Sequence, residues 1–269
     1  MAGQLLGRYD LSVKVRSLIL GCKVAEAEYR MNAVPRSFVL VVLLAFASGS
    51  ALGAAGNVTQ LSGTLSVKKA DGSVRILSQK SDIAPGDTLN TQKDSFAQIK
   101  FGDGGQITLK PNTSVKIENF NFTQEEPQKD SFFFKLVKGG MRAVTGLVGK
   151  RGDQDAYKLD TATATIGIRG TTYGADDCTE GAAGQGGCSN LEAAVYVSVS
   201  DGEIVASNNA GSVNFQAGQF GAIDSLDRRP RFLSTDPGLQ FTPPASFIQS
   251  LTGGSAVNAG RSLECVVRK

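Results

Sequence analysis

Few residue types in this chain could carry out chemistry. The sequence of 269 residues contains no histidine, the side chain that most often acts as a general base, activates a serine or cysteine nucleophile and ligates zinc. Its 25 aspartates and glutamates are scattered among glycine-rich turns and form no acid/base cluster. We therefore expect a protein that is not an enzyme and uses no cofactor or metal. A glycosidase whose two carboxylates are distant in sequence is the enzymatic alternative.

The four cysteines are Cys22, Cys178, Cys188 and Cys265. Cys178 and Cys188 enclose nine residues rich in glycine and alanine, a loop that can close readily. Export to an oxidising compartment would favour that bond, so we predict a Cys178–Cys188 disulfide. A metal site that combines these sulfurs with Asp176 and Asp177 is the alternative. Cys265 is left without a partner.

The net charge of +3 is concentrated at the N-terminus. Residues 1–55 hold six basic and three acidic side chains, which leaves 22 of each sign in the rest of the chain. A neutral body without a basic stripe is poorly suited to neutralising many phosphates. We therefore expect no nucleic-acid partner.

Residues 31–55 have the arrangement of a secretory signal peptide. A basic n-region around Arg36 precedes an apolar run of about ten residues, and small residues follow. A membrane span needs about 20 apolar residues, so we expect cleavage, a periplasmic location and no stable span afterwards. Residues 1–30 then form either an extension upstream of the true start or a short cytoplasmic tail.

Two cleavage positions fit the small residues at the end of this segment. Ala51 and Gly53 suit cleavage before Ala54, and Gly53 with Ala55 suits cleavage before Gly56. The sequence leaves both open.

The elements that position the remaining residues are short strands. Between residues 56 and 227, runs of β-forming residues alternate with glycine-containing turns at roughly ten-residue spacing. This pattern predicts an all-β domain, a single antiparallel sandwich or roll, in which Phe132–Phe134 form a buried central strand. Tight turns are expected at Lys138–Gly140 and at Asp201–Gly202. Residues 228–269 contain repeated prolines and glycines and are expected to be a partly ordered tail.

Several of these turns resemble those of the FecR domain. The matching residues are Gly86, Asp87, Thr88, Thr91, Asp103, Gly104, Asn112, Gly139, Arg169, Gly170 and Thr171. The likeness covers roughly residues 57–225, and it implies an exported β domain in which these residues are mainly structural. One departure lies after Thr161, where the family has a proline. Arg169 has two interpretations: it grips a carboxylate at a sheet edge, or it covers the end of the sheet.

Well-understood members of that family relay a signal from an outer-membrane transporter to a cytoplasmic sigma factor. The short N-terminal region here does not resemble an anti-sigma module, so the leading hypothesis is a periplasmic binding, sensing or scaffolding domain. Its expected partner is an envelope protein or peptidoglycan, contacted through residues 125–129 and 181–187. The alternatives are a membrane-anchored regulator that retains the N-terminal segment and a secreted structural subunit whose edge strands pair between copies.

Overall fold

The computed structural model describes residues 53–151, 153, 155–179, 188 and 191–239. The predicted cleavage residue Ala51, Cys22, Cys265 and the proposed contact loop 181–187 lie outside the described residues. The strands are β1 Gly56–Ser62, β2 Leu65–Lys68, β3 Val74–Leu77, β4 Asp82–Ile83, β5 Thr88–Thr91, β6 Phe96–Phe101, β7 Gln106–Leu109, β8 Ser114–Asn121, β9 Ser131–Val144, β10 Tyr157–Asp160, β11 Thr165–Asp177, β12 Val195–Asn208, β13 Gly211–Gln216, β14 Phe220–Ile223 and β15 Arg231–Leu233. A short 3-10 helix, Pro127–Lys129, precedes β9. No helix in this part of the chain is long and apolar enough to cross a lipid bilayer.

All fifteen strands belong to one sheet. Its main path runs β15-β14-β12-β11-β10-β9-β7-β6-β1-β4, with β13 beside β12 and a branch formed by β3, β2, β5 and β8. The all-β prediction is confirmed. The expectation of a purely antiparallel sheet is wrong at one ladder, because β10 runs parallel to the start of β9, with Tyr157 opposite Phe132. The chain between β9 and β10 returns to the beginning of β9 before it pairs.

Three strands are long and bent rather than divided by turns. Gly139, Gly170 and Gly202 have φ angles of +81°, +61° and +78° inside β9, β11 and β12, a region that glycine enters without steric cost. A Cβ atom on Gly139 would lie 2.6 Å from the Cα of Thr113. The predicted chain reversals at Lys138–Gly140 and Asp201–Gly202 are therefore wrong. The bend in β9 lets its first half pair with β8 and its second half with β7 and β11.

The main core contains a cluster of aromatic side chains. The ring of Phe132 lies 4.8 Å from that of Phe134 and 5.0 Å from that of Tyr157, between centroids, and all three side chains are buried. Successive residues of a strand point to opposite faces, so Phe133 lies on the other face and is partly exposed. The prediction of a buried strand is correct for Phe132 and Phe134 and wrong for Phe133.

A second, smaller cluster packs around the predicted disulfide. The structure confirms the Cys178–Cys188 bond, with the two Cα atoms 5.6 Å apart. The buried members of this cluster are Cys178, Cys188, Ala194, Tyr196 and Ala222, with Leu191, Leu233 and Leu239 packed against them. Leu233 ends β15, which pairs with β14, so the sheet extends beyond residue 227.

Candidate functional site

The first family-like turn, Gly86–Thr88, is built around the buried carboxylate of Asp87. One of its oxygens accepts hydrogen bonds from Lys69 Nζ at 2.7 Å and from the Ala84 N–H at 2.9 Å. Gly86 has a φ of +89° and donates its N–H to the Ile117 carbonyl. Asp87 therefore organises the entry to β5, and Thr88 is the first residue of that strand.

The second turn is organised by Asp103, which is 4% exposed. One carboxylate oxygen accepts the N–H of Gly105 at 2.9 Å, and the other accepts the N–H of Val148 at 3.2 Å. Gly104 beside it has a φ of +85°. Asp103 thus joins the β6–β7 turn to the loop that follows β9.

The third group links the loop before β8 to β5 and to the bend of β9. The Thr91 hydroxyl donates to the Lys110 carbonyl at 2.6 Å and accepts the Thr113 N–H at 2.9 Å. The Thr113 hydroxyl donates to the Gly140 carbonyl at 2.9 Å, and Asn112 has a φ of +54°. These contacts satisfy backbone groups where β9 bends at Gly139.

The fourth group lies at the bulge between β11 and β12. Thr171 is buried; its N–H donates to the Thr145 hydroxyl at 2.8 Å, and its own hydroxyl donates to the Glu203 carbonyl at 2.8 Å. The side chain of Arg169 is exposed beside it. Thr171 therefore connects β11 to β12 and to the end of β9.

The structure does not bring the family-like residues together in one site. They occupy four separate turns and bulges, and their buried polar groups satisfy neighbouring backbone groups. The turn after Thr161, where the sequence lacks the proline of the FecR domain, is closed by Thr161 itself. Its hydroxyl donates to the Ala164 carbonyl at 2.8 Å and accepts the Ala164 N–H.

The loop predicted as a contact surface, residues 125–129, is exposed and anchored from below by Arg151. The Arg151 guanidinium forms an ion pair with the buried Asp130 at 3.0 Å. It also donates to the carbonyls of Thr123 and Gln124, at 2.8 and 3.1 Å. These contacts of Arg151 hold both ends of the exposed loop in place.

A groove of about 460 Å³ lies on the outer face of β9, β11, β12 and β14. The groove is deepened at Gly174, which has no side chain to fill it. An added Cβ at this residue would lie 2.7 Å from the Ser198 hydroxyl. Arg142 and Phe220 line the groove, and the segment 236–239 borders it. Arg142 is exposed and forms no ion pair with the described residues. These groups are suited to hydrogen-bonding and stacking with a polar ligand.

An ion pair in the same groove holds the segment that follows β15. Lys110 Nζ lies 2.6 Å from a carboxylate oxygen of Asp176 and 2.7 Å from the carbonyl of Leu239. Burial raises the pKa of Asp176 to about 6, although the positive charge of Lys110 and its hydrogen bond lower it. Lys110 therefore connects the sheet to the end of the described chain.

The two aspartates weighed as metal ligands have different surroundings. Asp176 faces Lys110, and Asp177 accepts hydrogen bonds from the N–H and the hydroxyl of Thr179. Cys178 and Cys188 are bonded to each other. Within the described ranges, no three His, Cys, Asp or Glu side chains are grouped as metal ligands.

The residues around the predicted cleavage positions differ in burial. Gly53 and Ala54 are exposed. Ala55 is 1% exposed; its N–H donates to the Ile83 carbonyl at 2.7 Å, and its carbonyl accepts the Gly102 N–H at 3.0 Å. Ala55 is thus an integral part of the folded domain.

Sequence reasoning missed the Lys110–Asp176 pair and the groove around it. The two residues are separated by 66 positions, and only the fold brings them together. The sequence feature connected with this pair is the glycine at position 140. The Asp176 carboxylate occupies the space that a side chain at residue 140 would need.

The chain is similar to one family of known proteins and to a few solved structures. The family model described as FecR protein matches residues 87–205. Two solved structures of a "putative anti-sigma factor" from Parabacteroides distasonis ATCC 8503 are similar, each with 11% identity and a TM-score of 0.41 over 56% of this chain and 60% of that chain. A structure described as a cell surface anchoring domain matches at 28% identity with a TM-score of 0.23, over 24% of this chain and 84% of the other. The chain thus spans about 60% of the length of the first structures it matches. No curated protein matches it.

Proposed function

We propose that this chain is an exported, non-catalytic binding module of the bacterial envelope, because residues 87–205 match the family model described as FecR protein. In this proposal it senses or scaffolds by binding an envelope protein or a cell-wall glycan through exposed edges and loops. The family's signalling function through a sigma factor is not part of the proposal.

The observation that carries this proposal is the use of the buried acids. Asp87, Asp103 and Asp130 are each at most 4% exposed, and each accepts hydrogen bonds from backbone N–H groups or from a basic side chain of a loop. Buried carboxylates that fix loops are a structural device, since an unpaired buried charge is costly. This arrangement supports a scaffold whose function lies at its surface.

The Cys178–Cys188 disulfide supports export, because such bonds persist in oxidising compartments. The burial of Ala55 favours cleavage before Ala54 over cleavage before Gly56. Removal of Ala55 would delete a core side chain and two backbone hydrogen bonds. We therefore expect a mature chain that begins with Ala54.

The test is the intact mass and N-terminal sequence of the natively expressed protein in periplasmic, membrane and medium fractions. A soluble periplasmic species that begins with Ala54 supports the proposal. A membrane-bound species that retains Met31 contradicts it and favours the membrane-anchored regulator, and assembled protein in the medium favours the structural subunit.

A matched pair of variants separates the two cleavage positions. Ala51→Tyr places a large residue three positions before Ala54 but outside the recognition residues for cleavage before Gly56. We expect Ala51→Tyr to yield no chain that begins with Ala54 and Gly49→Ala to be processed as the parent is. An Ala51→Tyr chain with the same N-terminus and yield as the parent would contradict the choice of Ala54.

A further inference from the structure

The strand β3 is an open edge of the sheet. Within the described residues it pairs with β2 alone, with Val74 opposite Lys68 and Leu77 opposite Leu65. Unpaired backbone groups on an edge strand are a template for another strand.

The hydrogen-bond pattern identifies which backbone groups are open. Lys69 donates its N–H to the Ser73 carbonyl across the β2–β3 turn. Hydrogen-bonded and non-hydrogen-bonded pairs alternate along an antiparallel ladder, so Arg75 and Leu77 bond to β2. The N–H and C=O groups of Val74 and Ile76 therefore point away from the sheet.

The ladder on the other side of β2 gives the same result. The Thr64 carbonyl accepts the N–H of Gln92, so Ser66 and Lys68 direct their backbone groups toward β5, where they lie opposite Asn90 and Thr88. They are consequently not the partners of Val74 and Ile76.

The same two residues also expose their side chains. Ile76 is 71% exposed and Val74 is 66% exposed, more than any other large apolar side chain in the described part of the chain. They lie two positions apart and so share one face of β3. Open backbone groups and uncovered apolar side chains thus coincide at Val74 and Ile76.

Charge argues against a second copy of this chain as the occupant. In the antiparallel pairing that uses the outward groups of both residues on both copies, Val74 would lie opposite Ile76 of the other copy. Arg75 would then face its own counterpart in a non-hydrogen-bonded pair, where side chains are closest. Like charges directly opposite each other are destabilising.

The charge around β3 favours an acidic occupant. Lys68 and Arg75 are exposed and form no ion pair within the described residues. Lys69 already pairs with Asp87 at 2.7 Å. The acid of the β2–β3 turn, Asp71, accepts the N–H of Ser73 at 2.8 Å; hydrogen bonds from Ser73 lower its pKa most, and the charge of Arg75, beyond ion-pair distance, lowers it further. A carboxylate on an added strand opposite Arg75 would give that side chain an ion-pair partner.

We propose that β3 binds an extended segment of another protein, which adds a strand to the sheet and has the local pattern apolar–acidic–apolar. Its acid pairs with Arg75, and its apolar side chains cover Val74 and Ile76. Strand addition of this kind takes affinity from main-chain hydrogen bonds and specificity from alternate side chains. The inference rests on the proposed binding function and names a protein, rather than a glycan, as the partner.

The test uses two blocked synthetic peptides whose central residues are Val-Glu-Val and Val-Lys-Val. Binding to the disulfide-bonded protein is followed by NMR amide shifts at millimolar peptide, where weak complexes are detected. We expect the shifts to centre on Val74 and Ile76, with the glutamate peptide bound about fivefold more tightly.

Three variants make the test specific. Ile76→Pro removes an outward N–H, which an edge strand tolerates, and it should abolish binding while the fold, followed by circular dichroism, is retained. Arg75→Glu should reverse the preference in favour of the lysine peptide. Val137→Thr, which removes an exposed apolar side chain from the interior of β9, should leave binding unchanged.

Three results would overturn the proposal. They are absence of shifts at Val74 and Ile76, a peptide preference that Arg75→Glu leaves unchanged, and a concentration-dependent dimer that Ile76→Pro abolishes. Failure of export in the fractionation experiment affects the proposed function and leaves these binding results unaffected, so the two failures are distinguishable.

Discussion

Two regions of the sheet are protected to very different degrees. The outer face of β11, β12 and β14 carries a disulfide, a largely buried ion pair and an additional strand, β15. The β2–β3 hairpin carries none of these, and its edge exposes Val74 and Ile76. The difference teaches that this chain reinforces one region of its sheet with its own cross-links and leaves the β3 edge of the other available to a partner.

The largest expected effect comes from the ion pair. Lys110→Met leaves the Asp176 carboxylate buried without its partner, and we expect the free energy of unfolding at neutral pH to fall by about 3 kcal/mol, a value at the low end for buried pairs because both side chains retain some exposure. Urea denaturation measures it. The double variant Lys110→Met/Asp176→Asn should recover most of the loss. A single variant as stable as the parent would contradict the role of the pair.

The disulfide should have an effect of similar or slightly smaller size. Cys178→Ser/Cys188→Ser opens a loop that spans a sequence separation of 10, and we expect a loss of about 2 to 3 kcal/mol. Thermal unfolding with and without reductant measures it, and reductant should not affect the double variant. Equal destabilisation of the β2–β3 hairpin and of β15, observed by hydrogen exchange, would contradict a local role.

The pH dependence of stability should report on Asp176. Its pKa is raised from 3.8 to about 6 in the folded protein, so the folded state holds a proton that the unfolded state has already released. This contribution to stability is present below about pH 4 and is lost as the pH rises through about 6. We expect it to amount to about 2 kcal/mol after allowance for screening by solvent.

Denaturation across that pH window measures the effect, and Asp176→Asn is the matched control. The parent should lose stability relative to Asp176→Asn between about pH 4 and pH 6. A parallel pH dependence of the two proteins would show that Asp176 does not titrate there.

The smallest expected effect is at the open edge. Val74→Thr/Ile76→Thr replaces side chains that are largely exposed, so the free energy of unfolding should change by less than about 0.5 kcal/mol. Leu77→Ala in the same strand removes a buried side chain and should cost about 2 kcal/mol or more. A large loss in the threonine variant would mean that the edge is covered in the folded chain.

Local chemistry explains what the sequence could predict. Short β-forming runs between glycine turns predict an all-β fold, and two cysteines around a flexible loop predict the disulfide. Gly104 and Gly139 occupy positive φ angles, as expected for turn or bend residues. A pattern of this kind does not distinguish a chain reversal from a bend. The sequence therefore predicts that β9 and β12 are each divided by a turn, whereas the structure shows each as one continuous strand.

The features that the sequence could not predict depend on contacts between residues far apart in the chain. The parallel β9–β10 ladder depends on the path of the connecting segment, and the Lys110–Asp176 pair depends on register across several strands. In the sequence, Val74 and Ile76 have the pattern of an ordinary hairpin strand. Only the topology shows that β3 lies at an edge.

Amide hydrogen exchange of the free protein, resolved by residue, tests the contrast between the two regions most directly. We predict rapid exchange at Val74 and Ile76, slow exchange at their neighbours Arg75 and Leu77, and slow exchange at Tyr196 in the cluster around the disulfide. Slow exchange at Val74 and Ile76 in the monomer would contradict the account, because it would show that the edge is already occupied.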